Sequence, residues 1–340
     1  MLELDGSFGE GGGQILRTCL SMSLLTGRSF QLSNIRAGRA KPGLQPQHLT
    51  SVRAAATIGQ AQTRGASRGS SSLAFEPGEV QAGSYRFDVG TAGATGLVLH
   101  TVYLPLALRG GQPSELTIIG GTHVPASPCY HFLETTWRRY MERCGIRVSL
   151  RMNRPGFYPR GGGEIQAFVQ PCLKLISLHL RSTKSTEARG FSAVAGLDAG
   201  IARRQARRAA SRLQQYGLKC GFREEKWPGG PGSVLAVELD TDPVPTLFFA
   251  LGERGKTAER VADEAVEQVV AYLDSGDAAV DAHSADQLVL PLAWAEGASE
   301  FRVAQITKHL TTNIFVIRNF LERDIVCEGR EGEPGILRMG

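Results

Sequence analysis

Gly13-Gln14-Ile15-Leu16-Arg17 opens an apolar helix at about 13–25 that closes at Gly27, and the elements after it recur along the chain. Past that helix, the spacing of apolar residues predicts a strand near 29–35, a loop, a helix near 46–60, and strands near 72–76 and 84–89. A second copy runs through a helix near 95–108, a strand at 115–119, a loop, a helix near 129–143, and strands near 145–152 and 163–169. A third has a helix near 286–296, a strand at 300–304, a loop, a helix near 309–322 and two final strands. Each copy reads αβαββ, and the shared order of elements carries the repeat. A sheet with one apolar face needs helices to cover it. Three such units are therefore expected to pack as one large α/β (α+β) domain, built from 1–180 and 281–340.

Residues 181–280 break the pattern. They read strand (188–195), helix (198–216), strand (218–223), strand (233–240), strand (246–250), helix (256–273), a self-contained order that looks like a small inserted domain. The first helix of this insert carries Arg203, Arg204, Arg207, Arg208 and Arg212, with acidic neighbours sparse along the sequence. Such a stripe is either a solvated basic face or a contact to a nucleic-acid backbone.

The chain has 340 residues, of which 42% are hydrophobic and 21% charged, the composition of an ordinary globular protein rather than of a disordered or membrane chain. A net charge of +5 permits a polyanionic partner without demanding one. No apolar run reaches the roughly 18 residues that a membrane span needs. Met1-Leu2-Glu3-Leu4-Asp5 lacks the basic and apolar regions of a signal peptide. The six cysteines are scattered, contain no C-x-x-C pair and fit no zinc spacing. Reduced thiols in a cytoplasm, with no membrane, are the expectation.

The repeat allows one comparison between copies. The loop between first strand and second helix holds Arg36-Ala37-Gly38-Arg39-Ala40-Lys41-Pro42-Gly43 in copy one, Gly120-Gly121-Thr122-His123-Val124-Pro125 in copy two, and Gln305-Ile306-Thr307-Lys308-His309 in copy three. All three lead into helix N-termini, where unpaired N–H groups and the positive dipole end favour phosphate. Cations, glycines and a histidine brought to equivalent positions are what a phosphate-handling site needs. His309 lies in the first turn of its helix beside Lys308, and both the dipole and the ammonium disfavour imidazolium. A neutral imidazole can attack phosphorus and form a phosphoramidate. Alone, a histidine at a helix start is more often a surface or capping residue, so its neighbours must supply the case.

The densest of these is Gly9-Glu10-Gly11-Gly12-Gly13-Gln14-Ile15-Leu16-Arg17. Three consecutive glycines let backbone amides approach a phosphate, although an ordinary tight turn feeding a helix has the same look. Glu10 could hold a divalent cation there. Asp286 and Gln287 open the first helix of copy three, where the aspartate is either a site residue or a simple cap. Gly252-Glu253-Arg254-Gly255-Lys256-Thr257 ends like a phosphate-binding P-loop, but Ala250 stands where the pattern requires glycine. It reads as the loop that opens the insert's last helix. Gly161-Gly162-Gly163 reads as a turn between two antiparallel strands and receives no catalytic role.

Taken in order along the chain, Gly9 to Arg17, Ile35-Arg36-Ala37-Gly38-Arg39, Pro42-Gly43-Leu44, Gln47-His48-Leu49, Gly156-Phe157-Tyr158-Pro159 with Gly161-Gly162-Gly163, Ala285-Asp286-Gln287-Leu288, and His309-Leu310 with Thr312-Asn313 resemble the RNA 3'-terminal phosphate cyclase family. The resemblance implies three units similar to the C-terminal domain of translation initiation factor three, with a thioredoxin-like insert. It implies an ATP-dependent reaction assisted by a divalent metal (Mg or Mn). In it, His309 takes AMP from ATP and passes it to an RNA 3'-phosphate, and the neighbouring 2'-hydroxyl closes a 2',3'-cyclic phosphate. Carried over residue by residue, Glu10 goes to metal, Arg17, Arg36, Arg39 and Gln47 to the RNA terminus, and Pro128, Asp286 and Gln287 to the nucleotide. His100 and His283 stand at two further nucleotide positions, where family members have glutamine and often tyrosine, which leaves nucleotide preference open. The competing readings are a non-cyclising relative acting in ribosomal RNA maturation, which lacks the nucleophilic histidine, and an enolpyruvyl transferase built from similar units.

Overall fold

In the computed structural model of the chain, which describes residues 1–181 and 187–340, three four-stranded sheets share one topology. The first contains β1 (Leu2–Asp5), β2 (Phe30–Ser33), β3 (Gln62–Arg64) and β4 (Leu73–Glu76), with α1 (Gln14–Thr26) after β1 and α2 (Pro46–Ile58) after β2. Its order is β1-β2-β4-β3, with β1 parallel to β2 and the remaining pairs antiparallel. The second unit repeats this with β5 (Ser84–Asp88), α3 (Thr95–Arg109) and β6 (Ser114–Gly120). A second helix follows, running from α4 (Tyr130–Phe132) through a π-helical turn into α5 (Arg138–Arg143), then β7 (Val148–Arg154) and β8 (Gly163–Val169). Each unit is thus βαβαββ.

The predicted repeat gains one strand per copy. β5, assigned by sequence to the end of copy one, instead opens copy two, because its partner is β6 and it runs parallel to it. The opening strand of the third unit, β9 (His179–Leu180), is only two residues long and carries no readable alternation.

A fourth sheet follows β9 in sequence, and residues 182–186 of the predicted insert lie outside those described. It contains β10 (Glu187–Ala195), β11 (Lys219–Trp227), β12 (Gly232–Leu239) and β13 (Thr246–Leu251), with α6 (Ala199–Gln215) and α7 (Ala258–Asp274), in the predicted order. One face buries Leu235, Val237 and Leu239 against both helices, while the alternating Val234 and Ala236 join the main core. Four of the five arginines of α6 have acidic partners, supplied by other elements. Arg208 and Arg212 both reach Asp263 at 2.8 Å, Arg204 reaches Glu259 at 3.6 Å, and Arg203 reaches Glu224 at 3.6 Å. The nucleic-acid reading of this stripe is correspondingly weakened.

The chain then returns to the third unit with α8 (Ala282–Leu292), β14 (Ser299–Val303), α9 (Lys308–Phe320), β15 (Ile325–Glu328) and β16 (Gly335–Met339), where β14 lies parallel to β9. α1 packs on both α3 and α9, so it is the helix through which the three units meet. It buries every residue from Ile15 to Leu25 and ends at Gly27, whose left-handed φ of 72° suits a glycine C-cap. Among the described residues no helix is long and apolar enough to cross a membrane. All six cysteines are free, three buried and three partly exposed.

The packing around α1 is open to test. Leu20→Ala, at a fully buried position on α1, should lower unfolding free energy in urea by about 2–5 kcal/mol. Leu173→Ala, at a fully exposed position, should change it by less than about 0.5 kcal/mol.

Candidate active site

Where α1, α8 and α9 converge, a cleft of about 930 Å³ opens. Its walls hold Arg17 from α1, Asp286 and Gln287 from α8, and His309 from the first turn of α9. His100 from α3, Pro128 and His283 complete the set that the sequence singled out. Glu10, Arg36, Arg39 and Gln47 do not line the cleft itself.

The α9 N-terminus is fixed by short polar contacts. Thr307 caps it, its hydroxyl accepting from Leu310 N–H at 3.0 Å while donating to the Asp286 carboxylate. Asn313 donates to the Asp286 carbonyl at 2.7 Å and accepts from Thr18 and Gln14 at 2.6 and 3.0 Å. Asp281, not Asp286, caps α8, accepting from His283 and Ser284 N–H groups at 2.9 and 3.0 Å. The capping alternative for Asp286 is therefore withdrawn.

His309 Nδ1 stands 4.0 Å from Glu10 Oε2, and neither atom has a hydrogen-bond partner. Burial, then the charges of Arg17, His283 and Arg39, hold the imidazole down at about 4. The neutrality expected from sequence is thus present, but its sources differ. Lys308 turns away to within 3.7 Å of Glu331, and desolvation with more distant cations does the work.

Glu10 is held from both sides. Its N–H donates to Thr312 Oγ1 at 3.1 Å, and Arg39 donates to its carbonyl at 2.9 Å and pairs with its carboxylate. A Cβ at Gly12 would fall 2.2–2.3 Å from the Glu10 carboxylate oxygens, so a side chain there would displace the carboxylate from its place over the backbone. α1 begins at Gly13 without a side-chain cap, which leaves its first N–H groups open to an anion.

Arg17 is 7% exposed and donates to Gln14 Oε1 at 2.7 Å, and among the described residues no carboxylate forms an ion pair with it. Burial and Arg36 push it down to about 10, so it remains charged. A buried guanidinium without a countercharge is costly unless an anion arrives. Arg36 sits at φ 58°, donates to the Lys41 carbonyl at 3.0 Å and keeps a buried Nε unpartnered. Gln47 Oε1 is occupied by Ala94 N–H at 2.9 Å.

On the other walls, His100 Nε2 and Gln287 Oε1 are buried without partners. Burial, aided by Arg17, lowers His100 to about 3, so its ring is a neutral hydrogen-bonding group. Burial raises Asp286 to about 8, the Thr307 hydrogen bond opposing it, and leaves the carboxyl protonated at neutral pH.

Two expectations change. The Gly120-Gly121 pair is no phosphate cradle, because Cβ atoms there would meet the Gly93 and Ala92 carbonyls at 2.5 Å. His123 beside it is wholly buried, 3.0 Å from His131 and against Phe157 and Trp227. The sequence reading also missed wall residues, namely Phe157, Tyr158 and the stretch Phe249 to Arg254. That last loop is still not a P-loop, since Lys256 is tied to Glu264 at 3.0 Å and Thr257 caps α7. Its reach into the cleft comes from tertiary packing, for which sequence gave no signal.

A family model described as RNA 3'-terminal phosphate cyclase matches residues 8–327. Similar chains bearing that name include one from Ralstonia nicotianae, 45% identical over 340 residues, covering 99% of this chain and 96% of the relative. One from Ectopseudomonas mendocina is 45% identical over 99% of this chain and 97% of its own. One from Methanopyrus kandleri is 40% identical over 100% of this chain and 98% of its own. A match across nearly the whole length, with a cleft assembled from all three repeated units, places the chain among enzymes: it belongs to the RNA 3'-terminal phosphate cyclase family.

Proposed function

We propose that the chain converts an RNA 3'-terminal phosphate to a 2',3'-cyclic phosphate at the expense of ATP, with His309 carrying AMP between them. The observation that carries this is the His309 ring itself, held near 4 in a cleft that also contains a buried, uncompensated Arg17. A depressed pKa keeps the lone pair free at neutral pH, and the unpaired cation attracts a phosphate.

In the first step a His309 nitrogen attacks the α-phosphorus of ATP, the N–P bond forms, and the bond to the bridging oxygen breaks to release pyrophosphate. In the second, an oxygen of the RNA 3'-phosphate attacks the same phosphorus, breaks the N–P bond and returns His309 to its neutral state. In the third, the 2'-oxygen attacks the activated 3'-phosphorus, loses its proton to the medium, and expels AMP. Adenylylation supplies the good leaving group that a bare phosphate lacks.

His100, Pro128, His283, Asp286 and Gln287 are proposed to bind the nucleotide. The unpartnered His100 Nε2 and Gln287 Oε1 support that assignment. Arg17, Arg36, Arg39 and Gln47 are proposed to receive the RNA end, although Gln47 must first release Ala94. Glu10 suits a divalent cation such as Mg or Mn. Its Oε2 is buried and unpartnered, and a hard cation bound largely through substrate phosphates needs only one or two protein carboxylates. When bound, that ion would offset phosphate charge. No group of three or more metal-ligating side chains occurs among the described residues. We further take 181–280 as a small domain inserted into a large one formed by 1–180 and 281–340, and the free cysteines as fitting a cytoplasmic protein.

Incubation with α-labelled ATP should give acid-labile, alkali-stable label on the protein, and His309→Ala should remove it. Retained label in that variant would contradict the assignment. Because imidazolium forms only near pH 4 before nucleotide binds, the labelling rate should not fall between pH 7 and pH 5.5 through loss of neutral ring. An inflection near 6.5 would show an ordinary histidine. Asp286 supplies a stability test. Its folded pKa lies above its unfolded value of 3.8, so its contribution is complete below 3.8 and is lost as pH rises through about 8. Asp286→Asn, which keeps the acceptor for Thr307, should therefore melt higher than the parent at pH 8.5, with the gap closing toward pH 4.

A further inference from the structure

Phe8 is a large aromatic that remains 43% exposed although it sits two residues from Glu10. Its ring lies face to face on Phe315 of α9, centroids 3.9 Å apart and planes 23° from parallel. Phe315 packs against the main core, so it anchors the pair, and the outer side of Phe8 is left to solvent. The segment around Phe8 is held tightly. Phe8 N–H donates to the Asp5 carbonyl at 3.2 Å, and the Phe8 carbonyl accepts from Gly11 N–H at 3.1 Å. Gly9, at φ 63°, presses so close to α9 that a Cβ there would meet Thr312 Oγ1 at 2.2 Å.

The location decides what this exposed ring is for. Phe315 lies six positions beyond His309, about 9 Å along the α9 axis. Phe8 is absent from the walls of the cleft, so it stands outside the proposed nucleotide site, and the chain leads from it through Gly9 to Glu10, which pairs with Arg39 and lies 4.0 Å from His309. Arg39 donates to the Glu10 carbonyl, and its loop also carries Arg36 and Lys41. An anchored aromatic face two residues along the chain from the glutamate that holds Arg39 brings together the two elements that bind single-stranded nucleic acid, a ring on which a base stacks and a cation for the phosphate. A lone apolar patch would lack the cations.

We propose that Phe8, stacked on Phe315, is a platform for a base in the last nucleotides of the RNA whose 3'-phosphate approaches His309. This rests on the cyclase reading above. Stacking accepts any base, so the platform adds affinity for a single-stranded end without selecting its sequence.

The test uses 3'-phosphorylated RNAs in which one of the last three nucleotides lacks its base. These are given in turn to enzyme already labelled by ATP, and the half-saturating RNA concentration for cyclisation is measured. In the parent protein, base removal at one position should raise it about tenfold. Phe8→Ala should raise it by a similar factor for intact RNA and should no longer distinguish intact from abasic RNA. Phe8→Tyr and Phe8→Trp should restore the distinction. Equal sensitivity to the missing base in parent and Phe8→Ala, or an unchanged half-saturating concentration in that variant, would overturn the proposal. Should Phe8→Ala fold poorly by thermal melting, Phe8→Leu, which keeps an apolar cover on Phe315 and loses the ring, is judged by the same criteria. Failure of the cyclase reading is distinguishable, since the parent would then take no label from ATP.

Discussion

The side-chain amide of Asn313 ties the site together. It donates to the backbone of α8 at Asp286 and accepts from Gln14 and Thr18 of α1, while itself belonging to α9 and being 1% exposed. A buried amide with partners lost on one side costs more than an ordinary hydrogen bond is worth, so the three helices are held to one mutual arrangement. His309 lies one turn before Asn313, Arg17 one turn after Gln14, and Asp286 accepts from the cap of α9. Fixing one amide therefore fixes the relative positions of His309, Arg17 and Asp286.

The electrostatics follow from that arrangement. Arg17 acts on both His309 and His48, joined by Arg39 at the first and Arg36 at the second, so positive charge gathers in and beside the cleft. Both histidines respond by staying neutral, His48 falling to about 3 through burial and the nearby guanidinium groups. The excess would be a liability in a purely structural core. Beside an uncapped helix N-terminus and an unpartnered glutamate oxygen it becomes an invitation to phosphate and its counterion.

Much of this was legible in the sequence. The alternation in Ser114–Gly120 announces a strand because it buries one regular face, Leu116 and Ile118 included, and the largely apolar run of Gln14–Thr26 announces a helix that is buried on every side from Ile15 to Leu25. The topological role of β5 was not legible, since a strand's partner is set by packing and not by its own residues. Two-residue β9 gave no pattern at all. Of the residues singled out by motifs and equivalent loops, Arg17, Asp286 and His309 line the cleft, and Glu10 lies 4.0 Å from His309. The wall formed by Phe249 to Arg254 was not found, because it arrives from a sheet that is distant along the chain. The same limit explains α6, whose arginines look unpaired in sequence and meet Asp263, Glu259 and Glu224 only after folding.

Everything functional in this arrangement turns on one ring keeping its lone pair among cations. An NMR titration of the His309 imidazole in the ligand-free protein, assigned by comparison with His309→Ala, measures that property itself. A midpoint near 4 is expected from the surroundings of the ring. A midpoint at or above the ordinary value of about 6.5 would mean that burial and the neighbouring guanidinium groups do not govern it, and the proposed nucleophile would be mostly charged where it must react.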